Sequence, residues 1–373
     1  MDLKCNAVKA TVFVTAVILA IVLLIIIVIQ VYKPTVPYEL KGDESPVFTF
    51  LVKHLLDESG GVYTNLRDDQ DFKPDIANNH QMLSESTSLL MEYAVRSNNE
   101  ELFKTQYRFL LDYLLTEEGF IRWVHDPAGR REDVHTNATI DDLKIIHALL
   151  KAAQLWQEPK YERTALRIAN TLKEQVLQDD GFLPDYYDWQ LQKAAVTVTS
   201  SYLDLSALGK LAEYDAAWEN AYLRAKQLLH EAKLANGLFK KTYQIEWQAW
   251  MEQTDFNMID VLYAALHLTE AGHHADATCS FVVQKWKRDR KLYAAYDRDG
   301  TAMSETVSPA VYALAHRLLV HCGFQEIAEQ IYNELMQLSI QDEESAYYGG
   351  FVELSTLEAY SFDHLQALLS QLE

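Results

Sequence analysis

Cysteine and basic residues are both scarce in this chain. Its 373 residues include three cysteines, Cys5, Cys279 and Cys322, and their spacing matches neither a metal site nor a redox motif. With 33 Lys and Arg against 54 Asp and Glu, the formal net charge is −21. The clustered cations that bind nucleic-acid phosphates are missing. The composition therefore argues against a nucleic-acid partner.

Motifs for phosphate, metal and nucleophile chemistry are absent as well. The sequence contains no phosphate-binding glycine loop, no cluster of metal ligands and no nucleophile elbow. We therefore predict no metal and no cofactor. We also expect a fold that is stabilised by its hydrophobic core, without help from disulfides.

One long uncharged segment lies close to the N-terminus. Residues 10–32 contain no charged side chain, and a helix of that length crosses the apolar core of a bilayer. The segment runs directly into Lys33 and Pro34 without a small-residue cleavage site, which favours an uncleaved anchor over a signal peptide. Lys4 and Lys9 precede it, so the positive-inside tendency places the short tail in the cytoplasm.

This orientation predicts a single-pass protein of the cell membrane with an extracellular domain. The sequence leaves protein partners undetermined. The expected organisation is a cytoplasmic tail, a transmembrane anchor, a linker and a folded domain, over residues 1–9, 10–32, 33–44 and 45–373.

A short phrase, glycine followed by apolar or aromatic residues, recurs along the folded domain with a period of roughly 60 residues. Five copies contain the glycine: Gly61-Val62-Tyr63, Gly119-Phe120-Ile121, Gly181-Phe182-Leu183, Gly237-Leu238-Phe239 and Gly350-Phe351-Val352. A further copy, Lys291-Leu292-Tyr293, is fifth in chain order and has no glycine.

Each phrase precedes a polar, aromatic-rich loop and then two amphipathic helices joined by a short turn. The chain starts with the second half of such a unit and ends with the first half, so its terminal helices can pair. We therefore predict an all-α fold, an (α/α)6 toroid of about twelve helices in an inner and an outer ring. An open solenoid is the alternative, but its ends would carry polar capping repeats.

In this toroid the long loops share one rim, and acidic residues at the inner helix starts surround its mouth. These residues are Glu85, Asp141, Asp142, Asp204, Asp255 and Glu305. Each could simply cap its helix, because carboxylates stabilise the free N–H groups and the dipole at a helix N-terminus. Several of them around one cleft also supply the two carboxyl groups that glycoside hydrolysis needs.

Aromatic side chains crowd the same predicted rim. Flat aromatic faces can stack on sugar rings, although many of these residues are expected to anchor loops on the helices. Trp123, Trp189 and Trp247 are the strongest candidates for sugar binding, together with Tyr187.

Four segments at predicted inner helix starts resemble motifs of glycoside hydrolase family 8, an (α/α)6 barrel family, and the resemblance spans residues 45–373. They are Ser84-Glu85-Ser86, Ala138-Thr139-Ile140-Asp141-Asp142-Leu143, Ser200-Ser201-Tyr202 and Thr254-Asp255-Phe256-Asn257-Met258. The resemblance implies that Glu85 is the general acid and Asp255 the general base. It also implies that Asp142 engages the sugar at the cleavage point and that Tyr202 holds the sugar or the water.

Two features depart from the family pattern or compete with it. Met258 stands where the family has an arginine, which leaves Asp255 less supported. Asp260 competes for the role of base, but a five-residue offset turns it to another helix face. A neighbouring carboxylate such as Asp142 could raise the pKa of Glu85.

The resemblance implies an inverting endo-hydrolase of a β-linked polysaccharide, of the divergent, membrane-anchored type associated with exopolysaccharide systems. Two alternatives stay open. One is a polysaccharide lyase or unsaturated-uronyl hydrolase, since fold alone does not assign chemistry. The other is a non-catalytic protein that binds glycans or assists exopolysaccharide assembly.

Overall fold

The structure, a computed structural model, describes residues 38–42, 44–73, 76–131 and 134–373. Twelve α-helices lie in these residues, in agreement with the predicted number. In chain order they are α1 (Pro46–Phe50), α2 (Ser84–Arg96), α3 (Glu100–Phe109), α4 (Thr139–Trp156), α5 (Pro159–Gln175), α6 (Leu205–Ala212), α7 (Ala217–Ala232), α8 (Met258–Glu270), α9 (Asp276–Asp289), α10 (Pro309–His321), α11 (Gln325–Gln337) and α12 (Ser361–Ser370).

The even-numbered helices form a closed inner ring. Each contacts its two inner neighbours in the order α2, α4, α6, α8, α10 and α12, and α12 contacts α2 again. At the closure, the Ser86 and Ser361 hydroxyl oxygens lie 3.2 Å apart, and Ser45 before α1 donates a hydrogen bond to Gln371 at 2.9 Å. These contacts confirm the predicted (α/α)6 toroid and exclude an open solenoid.

The composition of the helices matches their place in the rings. In α8 nine of the thirteen residues are buried, whereas in the outer helix α11 three of thirteen are buried. A helix that is buried on most sides has to be apolar nearly all round, while a surface helix needs one apolar stripe. The inner ring is therefore the core of the protein.

The long loops pair into short strands, which were not predicted. They form three two-stranded sheets and one three-stranded sheet, which lie in the loops before α2, α4, α6, α8 and α10. The strands are β1 (Met82–Leu83), β2 (Val124–His125), β3 (Tyr187–Asp188), β4 (Lys193–Ala194), β5 (Thr197–Thr199), β6 (Thr242–Gln244), β7 (Ala249–Trp250), β8 (Asp255–Asn257) and β9 (Ala295–Asp297). All of these pairs are antiparallel.

The repeated glycines allow these loops to approach the next outer helix. Gly237 has φ +90°, and a Cβ atom there would lie 2.4 Å from the carbonyl carbon of Ala277 in α9. Only glycine takes that backbone conformation without steric cost. In the degenerate fifth copy, Arg290 adopts the left-handed conformation, with φ 52°.

Two expectations about the ends and the cysteines need correction. Tyr38, in the predicted linker, is buried and packs edge-on against Phe48, so the folded unit begins before residue 45. Cys279 of α9 and Cys322 after α10 form a disulfide, so the fold does not rest on its core alone.

The predicted anchor, residues 10–32, lies outside the described residues. Among the helices that the structure describes from residue 38 onward, none is long and apolar enough to cross a membrane.

Candidate active site

Glu85 lies in the first turn of α2, at the rim where the long loops meet. The β1–β2 pair sets this position, because the backbone N–H of Ser84 donates to the carbonyl of Trp123 at 3.0 Å. Glu85 is half-buried, so its carboxyl group is surrounded by protein but still reaches the solvent of the rim. Burial, followed by the negative charge of Asp141, raises the pKa of Glu85 to about 8. Glu85 therefore holds a proton at neutral pH, as a general acid must.

Asp141 is the carboxylate beside Glu85. Ser84 joins the two helix starts, because its hydroxyl donates a 2.6 Å hydrogen bond to Asp141 in the first turn of α4. Burial raises the pKa of Asp141 to about 7, although the Ser84 hydrogen bond and the charge of Lys144 oppose the rise. The sequence suggested Asp142 as this neighbour, and the structure replaces it with Asp141.

Asp142 is a second buried carboxyl in the first turn of α4. The Asn137 side-chain NH₂ group donates to it at 2.5 Å, while the Asn137 side-chain oxygen, Oδ1, accepts from the Tyr187 backbone N–H at 2.6 Å. Burial raises the pKa of Asp142 well above its ordinary value. In this arrangement Asp142 holds Asn137, which fixes the loop that carries Tyr187, and its contact with a sugar stays a prediction.

Tyr202 stands between carboxylates from several helices. It ends the short 3-10 turn Ser200–Tyr202 and is half-buried. Burial raises the pKa of Tyr202, and so do the negative charges of Asp141, Asp185, Glu85 and Asp260. The phenol therefore stays protonated and can donate a hydrogen bond at the rim, and its predicted contact with the sugar or the water stays a prediction.

Two acids near the start of α8 differ in their surroundings. Asp255 is exposed on β8 opposite Asp297, and the Thr254 hydroxyl lies 3.4 Å from its carboxylate. Asp260 is in the first turn of α8, where the hydroxyl of Ser201 donates to it at 2.7 Å. The ammonium group of Lys241 lies 2.8 Å from its other oxygen. Asp260, next to Tyr202, thus joins the site more directly than Asp255.

Three of the predicted aromatic residues pack against the protein. Trp189 stacks on Phe120 at 4.9 Å between ring centroids, and Tyr187 stacks on Phe120 at 5.5 Å. Trp123 is half-buried, with the Arg131 guanidinium 5.0 Å from its ring centroid. Packing against Phe120 anchors the loop that carries Trp189 and Tyr187, and both side chains also line a cleft of about 330 Å³.

Trp247 behaves differently. It lies in the turn between β6 and β7 and is 70% exposed. An exposed indole on a hairpin tip is available to stack on a sugar ring.

In the part of the chain that the structure describes, no group of three or more His, Cys, Asp or Glu residues is arranged to hold a metal ion.

Below the rim, Lys144, which was not predicted as a site residue, lies inside the inner ring. Lys144 follows Asp141 by one turn of α4, and its side chain is 11% exposed. Its ammonium group lies 3.9 Å from Glu92 and 5.1 Å from the ring centroid of Tyr263. The three-residue spacing from Asp141 was the available signal, since it puts both side chains on one helix face.

The opposite end of the inner ring is a charged network. Arg317 of α10 is 2% exposed and contacts Glu92 at 3.4 Å, Glu270 at 3.0 Å and Glu373 at 3.1 Å. A cavity of about 250 Å³ opens there, and Glu92, Lys144 and Glu270 line it. The cations at this end neutralise carboxylates that would otherwise be costly to bury.

A helical toroid with a proton-bearing carboxyl and further carboxylates at one rim is the arrangement expected of a glycoside hydrolase built on helical hairpins. Residues 71–359 match the model of the family described as glycosyl hydrolases family 8. The chain belongs to this family, as its motifs predicted.

Individual relatives share most of their length with this chain. It is 33% identical over 315 residues to the putative lipoprotein YdaJ of Bacillus subtilis (strain 168), which covers 83% of this chain and 84% of that protein. The structure of a novel alpha-amylase from Clostridium perfringens is 30% identical, with a TM-score of 0.81 over 90% of this chain and 99% of that chain. PssZ from Listeria monocytogenes is 24% identical, with a TM-score of 0.69 over 90% and 97%.

Proposed function

We propose that this protein is an inverting endo-hydrolase of a β-linked exopolysaccharide, with Glu85 as general acid. The observation that carries the proposal is the position of Glu85. It lies at a solvent-accessible rim, and burial beside Asp141 raises its pKa to about 8. Protonation of the leaving oxygen needs a carboxylic acid that keeps its proton near neutral pH.

The general base that the geometry supports best is Asp260. Helices α2 and α8 are three places apart in a ring of six, so Glu85 and Asp260 approach the mouth from opposite sides. An inverting mechanism needs this kind of separation, because a water molecule has to fit between the base and the sugar. The ammonium group of Lys241 lies 2.8 Å from the Asp260 carboxylate and holds it in place at the mouth.

Tyr202 completes the arrangement. Its hydroxyl stays protonated between the two sides of the mouth, where it can donate to the sugar or orient the attacking water. Asp255 was implied as the base by the family resemblance and stays a prediction. Its exposure on β8 supports that role less well.

The test measures the reducing ends that are released when a protein of residues 34–373 is incubated with purified exopolysaccharide or with β-1,4-glucans. Glu85→Gln is expected to lower kcat by about 10²–10⁴-fold, because it removes proton donation to the leaving group while keeping the side-chain shape. Asp260→Asn is expected to cause a similar loss, and Asp255→Asn, on the strand that leads into α8, tests the competing carboxylate. NMR of the first product should show the inverted anomer.

The same experiment separates the alternatives. Equal activity of Glu85→Gln and wild type would refute the assignment of the acid, and loss in Asp255→Asn but not in Asp260→Asn would return the base to Asp255. An unsaturated sugar product, seen by its ultraviolet absorbance, would identify a lyase. Glycan binding without any release would identify a non-catalytic binding or assembly protein.

An α-linked glucan is a second candidate substrate. The Clostridium perfringens relative, at 30% identity, is named as an alpha-amylase. Amylose and glycogen therefore belong in the same assay. Release from these glucans with none from β-linked polymers would overturn the β-linkage and leave the roles of Glu85 and Asp260 intact.

We further propose that residues 10–32 anchor the protein in the cell membrane with residues 38–373 outside. The Cys279–Cys322 disulfide supports this side, because disulfides persist in oxidising, extracytoplasmic environments. The name of the Bacillus subtilis relative, a putative lipoprotein, also agrees with a surface location. Protease added to intact cells should digest the folded domain, and protection until lysis would contradict the orientation.

A further inference from the structure

Lys144 is a buried cation that the proposed reaction does not use directly. It projects from α4 into the middle of the inner ring, one turn after Asp141 and therefore on the same helix face. Glu92 at 3.9 Å and the face of Tyr263 at 5.1 Å hold its ammonium group. Lys144 thus sits between the carboxylates of the rim and those of the opposite end.

We propose that Lys144 is a positioning residue for catalysis: its ammonium group, fixed at the centre of the toroid, keeps one negative charge on the Glu85–Asp141 pair and so sets the pH range in which Glu85 can donate its proton. This inference deepens the proposed function and rests on Glu85 being the acid.

The cluster of groups around the pair supports this role. Burial raises the pKa of both Glu85 and Asp141, and the positive charge of Lys144 lowers the pKa of both. Without a cation, burial favours the neutral form of each carboxyl. With Lys144 beside them, one can ionise while the other keeps the proton, which is the state that a general acid with a charged neighbour requires.

Other ionisable groups face the same space, and each inner helix contributes some. They are Glu92 on α2, His147 on α4, Asp204 at the start of α6, Asp260, Tyr263, His267 and Glu270 on α8, Arg317 on α10, and Tyr202 on the 3-10 turn. On α12, Asp363 accepts from Ser308 and Ala310, whereas His364 turns away from this space and stacks on Phe50 of α1 at 4.7 Å.

Most of these groups are already engaged with partners other than the pair. Arg317 is bound to three carboxylates at the opposite end. Burial raises the pKa of Asp204, but the charges of His267, Lys144 and His147 together lower it to about 2. Lys144 is the cation that acts on Glu85 and Asp141 together.

The Lys144 side chain is positively charged at neutral pH. Burial would lower its pKa, but Tyr263, Glu92, Asp204 and Glu270 raise it above the ordinary value. The side chain therefore stays protonated through the range in which Glu85 titrates. A constant charge at this place can set the pKa of Glu85 without titrating itself.

The experiment compares the pH dependence of kcat/KM for the wild type, Lys144→Met and Lys144→Arg. Loss of the charge is expected to move the alkaline limb, which reports Glu85, upward by about one pH unit or more. Lys144→Arg keeps the charge and should leave the limb close to that of the wild type. Lys151→Met is the matched control, because Lys151 lines the same cavity two turns further along α4.

A second readout does not depend on turnover. Infrared or carbon-13 NMR titration of the carboxyl groups in the resting protein, with Glu85 identified by its loss in Glu85→Gln, should show the same upward shift in Lys144→Met. A folded Lys144→Met protein with an unmoved Glu85 titration would overturn the inference, and so would an equal shift in Lys144→Arg. A shifted titration in a protein that hydrolyses no glycan would refute the proposed function and retain the electrostatic role of Lys144.

Glu92→Gln covers the case in which Lys144→Met fails to fold. Removing this carboxylate leaves the Lys144 charge less neutralised, so the Glu85 titration is expected to move downward. A downward shift supports the inference, and an unmoved titration in folded Glu92→Gln overturns it.

Discussion

Glu85 and Glu92 lie two turns apart on the same inner helix, yet they belong to two opposite electrostatic regions. At the rim, burial and Asp141 raise the pKa of Glu85 to about 8. Toward the other end, burial would also raise the pKa of Glu92, but Lys144, Arg317 and Arg96 lower it. Burial alone therefore does not decide whether a carboxyl of this toroid keeps its proton. The placement of the cations decides it.

The distribution of cations matches a division of labour along the ring axis. Arg317 contacts three carboxylates at the end away from the long loops, so their charges are balanced inside the protein. At the rim, Ser84 supplies a neutral hydrogen bond to Asp141. One end therefore holds the inner ring together, while the other keeps a proton available for chemistry.

The largest effect on stability is expected from removing the central cation of the end opposite the rim. Arg317→Met leaves Glu92, Glu270 and Glu373 without their shared partner and should lower the free energy of unfolding by about 3–5 kcal/mol. Urea unfolding measures the loss. Arg288→Met is the matched control, because Arg288 pairs with Asp289 on the exposed surface, where ion pairs contribute little. Similar losses in both variants would remove the contrast between this end and the surface.

The pH dependence of stability should have opposite signs at Glu85 and at Asp204, which lines the cavity with Glu92 and Glu270. The folded pKa of Asp204, about 2, is below its unfolded value, so Asp204 contributes about 2–3 kcal/mol above pH 4 that is lost as the pH falls toward 2. The folded pKa of Glu85, about 8, is above its unfolded value, so its contribution is complete below pH 4 and is lost as the pH rises through 8.

Urea midpoints across this pH range test these signs. Asp204→Asn should destabilise the protein at neutral pH and have less effect near pH 3. Glu85→Gln should flatten the decline of stability on the alkaline side, because the neutral amide does not ionise. The same pH trend in both variants would contradict the assignment of the two regions.

The smallest effect is expected at the exposed edge of the rim. Trp247→Ala should weaken glycan binding by about 1 kcal/mol, or roughly fivefold in Kd, by removing an aromatic face, and should leave the Tm unchanged because Trp247 is 70% exposed. Trp189→Ala should do the reverse, since Trp189 packs on Phe120. Calorimetric titration with a glycan oligomer, together with thermal melts, compares the two. A lower Tm for Trp247→Ala would place that residue in the packed part of the loops.

Much of the fold could be predicted because it repeats. The period of the glycine phrase and the apolar spacing indicated the number of helices and the closure of the ring. The position of Glu85 in the first turn of an inner helix could be predicted for a related reason, since its Ser-Glu-Ser segment marks the start of that helix. The disulfide could not be, because Cys279 and Cys322 are 43 residues apart in sequence and meet only in the folded ring.

The details of the site depended on helix rotation, which local sequence does not determine. Asp141 and Asp142 are adjacent, so about 100° of rotation about the helix axis decides which one meets Ser84. Asp255 was favoured over Asp260 by a motif, but the chain stays extended through Asn257 and the helix begins only at Met258. That late start places the first helical turn, with Asp260, at the mouth.

The closure of the inner ring by α12 also has a consequence for biosynthesis. The two flanks of the gap that α12 fills belong to α2 and α10, and the Ser86–Ser361 contact joins residues 275 positions apart. A nascent chain on the ribosome can therefore form hairpins one after another but cannot seal their apolar inner faces until α12 has emerged. Premature termination ahead of Ser361 would leave an open arc with exposed leucines, which is a natural substrate for chaperones and quality-control proteases.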